Sequence, residues 1–133
     1  MSVVKIRAAL ETALNGMTPA MATAWENAAF VPVPGTPYQQ VNVLFATPLN
    51  AEIGSRHQEI GYMQVKLMYP LQVGTATSSV RAELIRATFK RGATFSNGGI
   101  TTMITDTTEI SPGSIDGDRY SLPVKIKFVA QIP

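Results

Sequence analysis

The sequence predicts an α+β fold with a mostly antiparallel sheet of four to five strands and two helices packed on one face. Two segments carry apolar residues at helical spacing, three alternate apolar and polar residues, and one more is rich in Thr and Ile. These elements follow the order helix, two strands, helix, two strands, which is typical of segregated α+β domains. A chain of 133 residues suits one domain, so we expect a single unit over residues 1–133.

The first helix is predicted over residues 2–15. Ser2 is a suitable N-cap and Gly16 a stop signal. Five apolar residues recur at helical spacing along one face: Val3, Ile6, Leu10, Ala13 and Leu14. This stripe predicts that the helix covers a sheet.

Residues 17–37 contain four prolines, which exclude a long regular element. A short edge strand is predicted at residues 23–27. Trp25 and Phe30 are the large apolar side chains of this connection, and we expect them to anchor it to the core. The full set of expected core anchors is Trp25, Phe30, Tyr38, Phe89 and Phe128.

Two strands are predicted next, over residues 38–46 and 61–69. Val41, Val43 and Phe45 share one face of the first strand; the second places Met63, Val65, Leu67 and Tyr69 on one face. Residues 47–60 are predicted to form a long polar loop, and loops of this length are usually functional or disordered. Its candidate contact residues, for a neighbouring subunit or another protein, are Glu52, Arg56, His57 and Glu59.

The second helix is predicted from residue 75 or 76 to residue 91, with Gly92 just beyond its end. The residues expected to face inward are Val80, Leu84, Ile85, Thr88 and Phe89, and those expected to face outward are Arg81, Glu83, Arg86 and Lys90. A strand follows over residues 100–110, then a turn at residues 116–118 and a last strand over residues 120–132. That strand turns Val124, Ile126 and Phe128 inward, and Lys125, Lys127 and Gln131 outward.

Composition excludes several chemistries. The absence of cysteine excludes disulfides, a thiolate nucleophile, thiolate-bound zinc and iron–sulfur clusters. Charged residues interrupt any early apolar run, and no run approaches the ~18 apolar residues of a membrane span. We therefore expect a protein made in a cytoplasm, without a membrane partner.

No catalytic, metal or cofactor site is expected. His57 is the only histidine, and we interpret it as a solvated loop residue. The residues around Asp116 and Asp118 lack the closing glutamate of an EF-hand, and Gly98 belongs to a turn and not to a phosphate loop. The sequence therefore predicts a protein that is not an enzyme.

The net charge of +2 is small, and the cations are scattered. Lys66, Lys125 and Lys127 would share the polar sheet face with Tyr62, where lysines are ordinary solvating residues. No stripe of a sequence-specific nucleic-acid binder is present.

Several residues spread over the chain carry a family resemblance. Trp25-Glu26-Asn27 leads through Phe30 to the Gly35-Thr36-Pro37-Tyr38 run and the strand after it. The pattern continues through residues spaced over the rest of the chain: Gly61, Gln64, Val65, Pro70, Gly74, Phe89, Arg91, Gly92, Gly117, Tyr120, Pro123 and Val124. In order and spacing these residues resemble a family of phage tail proteins catalogued as a domain of unknown function, and the tail terminators of long-tailed phages. The loop at residues 47–60 is less glycine-rich than such sequences suggest.

The resemblance implies a structural virion protein at the head–tail junction, assembled in the host cytoplasm. A tail terminator forms a ring, expected to be hexameric, that caps the tail tube, stops tube polymerisation and offers a head-joining surface. The implied partners are further copies of the chain, the major tail tube protein and a head-completion or connector protein, with DNA passing through the lumen without sequence-specific binding. In such a ring Lys66, Lys125 and Lys127 would either face the lumen or meet water.

Two other functions remain open from the sequence. The nearer is a head-completion or neck connector protein on the head side of the junction. The other is a small phage-encoded enzyme or nucleic-acid module.

Overall fold

A computed structural model describes residues 2–50 and 56–132. Its two helices are α1 (Ser2–Asn15) and α2 (Ala76–Thr88). The strands, in chain order, are β1 (Ala22–Ala24), β2 (Tyr38–Phe45), β3 (His57–Pro70), β4 (Thr94–Asn97), β5 (Ile100–Ile104), β6 (Glu109–Ile110), β7 (Ser114–Asp116) and β8 (Arg119–Ile132). Within the described residues, neither helix is long and apolar enough to cross a membrane.

The sheet corrects the predicted fold class. The described strands form one mixed sheet of eight, in the order β1-β2-β3-β8-β5-β4, with β6 and β7 also paired to β8. It curls into a half-barrel, and β1 runs parallel to β2. The prediction of a mostly antiparallel sheet of four to five strands was therefore wrong. Parallel pairing needs a crossover of about a dozen residues, which the proline-containing connection between β1 and β2 supplies.

The two longest strands, β3 and β8, form the centre of the sheet. They pair antiparallel along their whole length, with Val65 opposite Val124. The side chains on the same face of the sheet as Val65 and Val124, which we call the inner face, form one buried cluster with residues of both helices. The cluster includes Ile6, Leu10 and Leu14 of α1, Met63, Val65 and Leu67 of β3, Ile85 of α2, and Val124, Ile126 and Phe128 of β8. The alternation read from the sequence places these strand residues correctly.

Helix α2 is rotated relative to the prediction. Val80, expected to face inward, is 69% exposed, whereas Arg81, expected to face outward, is 5% exposed. The side chains that α2 buries are Ser78, Arg81, Ala82 and Ile85. The apolar stripe alone misplaced the helix because the Arg81 guanidinium finds a buried acceptor, the Pro19 carbonyl, 62 positions away in sequence.

The strand predicted over residues 100–110 is broken into β5 and β6. Thr108, in the break, is buried and donates its hydroxyl to the Phe89 carbonyl at 3.3 Å. Its own carbonyl accepts from Arg86 Nε at 3.2 Å. These bonds to the end of α2 replace strand pairing, which explains why a Thr-rich stretch does not continue as one strand.

The opposite side of the sheet, the outer face, is covered at one end by the proline-containing connection. Arg119 donates to the carbonyls of Val33 and Thr36, and its guanidinium carbon lies 5.0 Å from the centre of the Tyr38 ring. Phe30 packs on Tyr38 with ring centroids 5.0 Å apart. These two expected core anchors therefore lie outside the main core, on the outer side of the sheet.

The other three expected anchors lie at the core. Phe89 and Phe128 are 0% and 2% exposed, and Trp25 is partly buried against the same cluster. An aromatic side chain in a sequence predicts burial, but not which face of the sheet buries it.

Candidate assembly surfaces

The candidate contact residues of the predicted loop divide between the loop and β3. His57 and Glu59 lie inside β3, so their placement on a loop was wrong. Arg56 is exposed just before β3, and Glu52 falls outside the described residues. His57 Nε2 lies 3.1 Å from Glu59 Oε1, and Glu59 is 8% exposed. His57 is thus a half-buried strand residue and not a solvated loop histidine.

Arg56 and His57 line a cleft of about 600 Å³ at the end of the sheet where β3 begins and β8 ends. Leu49 and Met103 lie on its wall and are 49% and 42% exposed. Sequence reasoning missed both residues, because Met103 reaches the cleft only through the pairing of β5 with β8, and Leu49 only through its bridge to Gln58. The cleft combines a cationic edge with apolar walls.

The predicted lysines share the outer face of the sheet. Lys125 Nζ lies 4.6 Å from the centre of the Tyr62 ring, and Lys127 Nζ lies 3.9 Å from Asp106 Oδ2. Lys66 stands opposite Pro123 on the same face. Pairing of β3 with β8 brings the three lysines together, as expected for that face, while Asp106 offsets part of their charge.

A second surface lies at the opposite end of the sheet, between α2 and β1. We call it the Arg81 groove; its volume is about 340 Å³. Its wall is mainly apolar and includes Pro19, Met21, Pro37, Val80 and Leu84, with Arg81 and Tyr69 as polar members. Sequence reasoning gave no sign of this groove, since its wall comes from four separate segments.

Arg81 is a desolvated cation. Its Nη1 donates to the Pro19 carbonyl, whereas its buried Nε has no hydrogen-bond partner. Within the described ranges, no ion pair joins Arg81 to a carboxylate. Burial lowers the pKa of Arg81 and raises the pKa of Tyr69 beside it. An arginine in this setting would gain from a carboxylate.

The turn between β7 and β8 projects a small mixed surface that we call the 115–118 tip. Ile115 is 72% exposed, and Asp116 and Asp118 are exposed on either side of Gly117. The turn predicted from these residues is confirmed. Among residues 2–50 and 56–132, no group of three His, Asp or Glu side chains is placed to hold a metal ion.

Known proteins provide an independent comparison. The sequence profile described as phage tail terminator protein matches residues 5–128. No curated protein matches the chain. One solved structure, whose given name describes no function, superposes with a TM-score of 0.79 at 22% identity, over 96% of this chain and 94% of that one, and shows the fold alone.

The profile match confirms the family resemblance read from the residues. It covers nearly all of the sequence, from α1 to β8. Members of this family are structural proteins of the phage tail and not enzymes, which agrees with the class predicted from composition. The chain therefore belongs to the phage tail terminator protein family.

Proposed function

We propose that this protein acts as a single domain that forms a ring, expected to contain six copies, on the end of the phage tail tube. The ring stops tube polymerisation and presents the surface that joins the head. The role is mechanical and requires no catalytic group. The observation that carries this proposal is that the molecule exposes unlike surfaces at opposite edges of one sheet.

A closed ring needs a heterologous contact, in which one patch meets a different patch on the next copy. In the described part of the chain, β1 borders the apolar Arg81 groove, while the far edge carries β4 and the hairpin of β7 and β8. Because the two edges differ in shape and composition, one edge can meet the other edge of the next copy head to tail.

The ends of the strands supply surfaces for the ring's other partners. Val31, Val33 and Val73 are 84%, 60% and 51% exposed. The Val33 carbonyl accepts from Arg119 at the start of β8, and Val73 follows β3 three residues after Pro70. The cleft near His57 lies at the other end. Exposed aliphatic groups of this kind commonly mark protein contacts. We assign one end to the tube protein and the other to a head-completion or connector protein.

The cleft residues Arg56 and His57 are proposed to contact the tube, with the buried Glu59 holding His57 in place behind them, and Glu52 belongs to the same proposal. Arg56→Gln should weaken binding to isolated tubes, because it removes the exposed cation of the cleft. Unchanged tube binding would argue against this assignment.

Lys66, Lys125 and Lys127 are proposed to face the lumen, where they tolerate the passing DNA without reading its sequence. Their presence on the polar face of a sheet supports this position. A variant with all three changed to Gln should still form rings, and its weak DNA affinity should lose salt dependence. Retention of steep salt dependence in the variant would contradict the proposal.

The experiment that tests the ring is electron microscopy of the purified protein with isolated tail tubes. We expect rings on one end of each tube, and overlong or headless tails from phage lacking the gene. Tails of normal length in the deletion would defeat the terminator role. Binding to the head connector, with none to tubes, would instead identify a neck protein.

A further inference from the structure

The Arg81 groove contains a buried guanidinium whose Nε lacks a hydrogen-bond acceptor. Folding has already removed the Arg81 side chain from water, as its 5% exposure shows, and Nε remains without an acceptor. Breaking or omitting the partner of a buried charge is costly. A carboxylate that enters this groove would therefore gain a strong charge-assisted bond without a new desolvation cost on the arginine side.

The groove also exposes an apolar surface that suits an apolar ligand. Val80 is 69% exposed on its rim, and Pro19, Met21, Pro37 and Leu84 continue the same wall. A ligand that suits this surface combines an aliphatic side chain with an adjacent carboxylate. The 115–118 tip has this composition: Ile115 shares the face of Tyr120 on the hairpin, and Asp116 and Asp118 flank the turn at Gly117.

Sheet topology places the tip and the groove on opposite edges of the molecule. The groove borders β1, the outermost strand on one side. The strand β7 pairs with β8 on the side away from β3. A tip at one edge and a groove at the other can join successive copies head to tail.

The 115–118 tip and the Arg81 groove also lie at the same height along the strand direction. Tyr69, which lines the groove, stands opposite Tyr120, and Ile115 stands opposite the same Tyr120 from the other side. A contact between patches at the same height favours rotation from one copy to the next over translation along the strands. A heterologous contact of this kind forms a ring when its rotation closes.

We propose that the 115–118 tip of one copy inserts into the Arg81 groove of the next copy. Ile115 packs on the wall around Val80, and the carboxylates of Asp116 and Asp118 face Arg81. This inference rests on the proposed ring and specifies which surfaces form its subunit interface.

Cysteine cross-linking tests the contact directly, because the chain has no cysteine of its own. Val80→Cys and Ile115→Cys replace exposed aliphatic residues, so both variants should fold. With isolated tubes present, oxidation of the double variant should give a cross-linked ladder that ends at the ring size. Each single variant should give no such ladder, and an equal mixture of the two should stop at dimers.

The matched control combines Val80→Cys with Val4→Cys. Val4 is also an exposed aliphatic residue, at 57%, but it lies on α1 near the opposite end, where Lys5 bonds the Gly98 carbonyl. This pair should not cross-link. Rings on the tubes without a ladder from the Val80 and Ile115 pair would overturn the interface and leave the ring intact. Absence of rings from the wild-type protein would overturn both.

Charge variants of Val80 provide a second test. Val80 is exposed, so neither substitution should prevent the subunit from folding. Val80→Glu places a carboxylate beside the incoming acidic tip, whereas Val80→Lys has similar bulk at the same exposed position. Both substitutions remove the apolar contact with Ile115, but only Val80→Glu repels the acidic tip, so we expect Val80→Glu to weaken subunit association at least 10-fold more than Val80→Lys. Equal effects of the two substitutions would contradict the proposed contact.

Removing the negative charges of the 115–118 tip should also weaken subunit association. Asp116→Asn combined with Asp118→Asn should weaken association about 30-fold, as expected when one side of a buried charge pair is lost. Asp106→Asn, another exposed aspartate, is the control and should assemble normally. Normal assembly of the tip variant would remove the electrostatic part of the inference and overturn it.

Discussion

Gly61→Ala tests how the inner face of the sheet is packed. Gly61 lies in β3 between two aromatic residues, opposite Phe45 of β2 and Phe128 of β8. The two rings meet edge to face with centroids 5.7 Å apart. A β-carbon at Gly61 would lie 2.1 Å from the Leu44 carbonyl oxygen and 3.0 Å from the Phe45 α-carbon. The atoms in its way belong to the backbone and cannot rotate aside.

The size of the effect follows from that geometry. Ordinary contact begins at 3.4 Å, so β2 would have to retreat by about 1.3 Å. Overpacking of this kind costs about 3 kcal/mol when backbone has to move, against a gain of about 0.5 kcal/mol from the stiffer unfolded chain. We therefore expect a net loss of roughly 2–3 kcal/mol, and a fall in Tm of about 10 °C for a chain of this size.

Urea unfolding followed by circular dichroism gives the free energy of unfolding, and thermal unfolding gives the Tm. Gly16→Ala is the matched control, because its β-carbon would lie 3.3 Å from the nearest atom, the Thr12 carbonyl oxygen. The control should change stability by no more than about 0.5 kcal/mol. If Gly61→Ala were as stable as the control, the close approach of β2 to β3 would be refuted.

Two further substitutions test contacts at other places in the fold. Glu26 accepts a hydrogen bond from the Val43 amide at 2.9 Å and one from Arg7 at 3.0 Å, and these contacts, the amide first, lower its pKa. Glu26→Gln should therefore lower the free energy of unfolding at pH 7. The loss should be only about 1 kcal/mol, because solvent screens part of the interaction. Because the pKa of Glu26 is lowered in the folded protein, its ionised carboxylate stabilises the fold at pH values above the ordinary pKa of 4.5. The difference in stability between the wild type and Glu26→Gln should therefore shrink as the pH falls through the folded-state pKa. A pH-independent difference in urea unfolding would contradict this account. Gly113→Ala should destabilise the hairpin of β7 and β8, because its β-carbon would lie 2.0 Å from the Tyr120 hydroxyl oxygen. We expect a loss of about 1–2 kcal/mol by the same unfolding assay, and an unchanged stability would show that Tyr120 moves aside at no cost.

Local sequence signals predicted the elements that are long or carry strong periodicity. The bounds of α1 agree with the structure, and so do the inward residues of β2, β3 and β8. The turns at Gly98 and Gly117 were predicted as well, and both glycines adopt positive φ angles, of 57° and 63°. In these cases, the residues that dictate the conformation lie within a few positions of each other.

The short strands were beyond such signals. Strands of two to four residues, such as β4, β6 and β7, have too few positions to show alternation. Strands β6 and β7 form because β8, at 14 residues, is long enough to pair with β5, β6 and β7 in turn along one edge, and β4 forms by pairing with β5. The strand count therefore depended on a partner distant in sequence, and the predicted count was too low.

What the sequence determined by itself is the family of the protein: a cysteine-free chain with one histidine, no catalytic motif and the spaced residues of a tail terminator. The surfaces were decided by tertiary structure. Arg81 turned inward toward the Pro19 carbonyl, and that rotation left Val80 on the rim of a groove assembled from four segments. Periodicity records which side chains avoid water along one element, whereas a groove and a buried unpaired charge arise only when separate elements pack together.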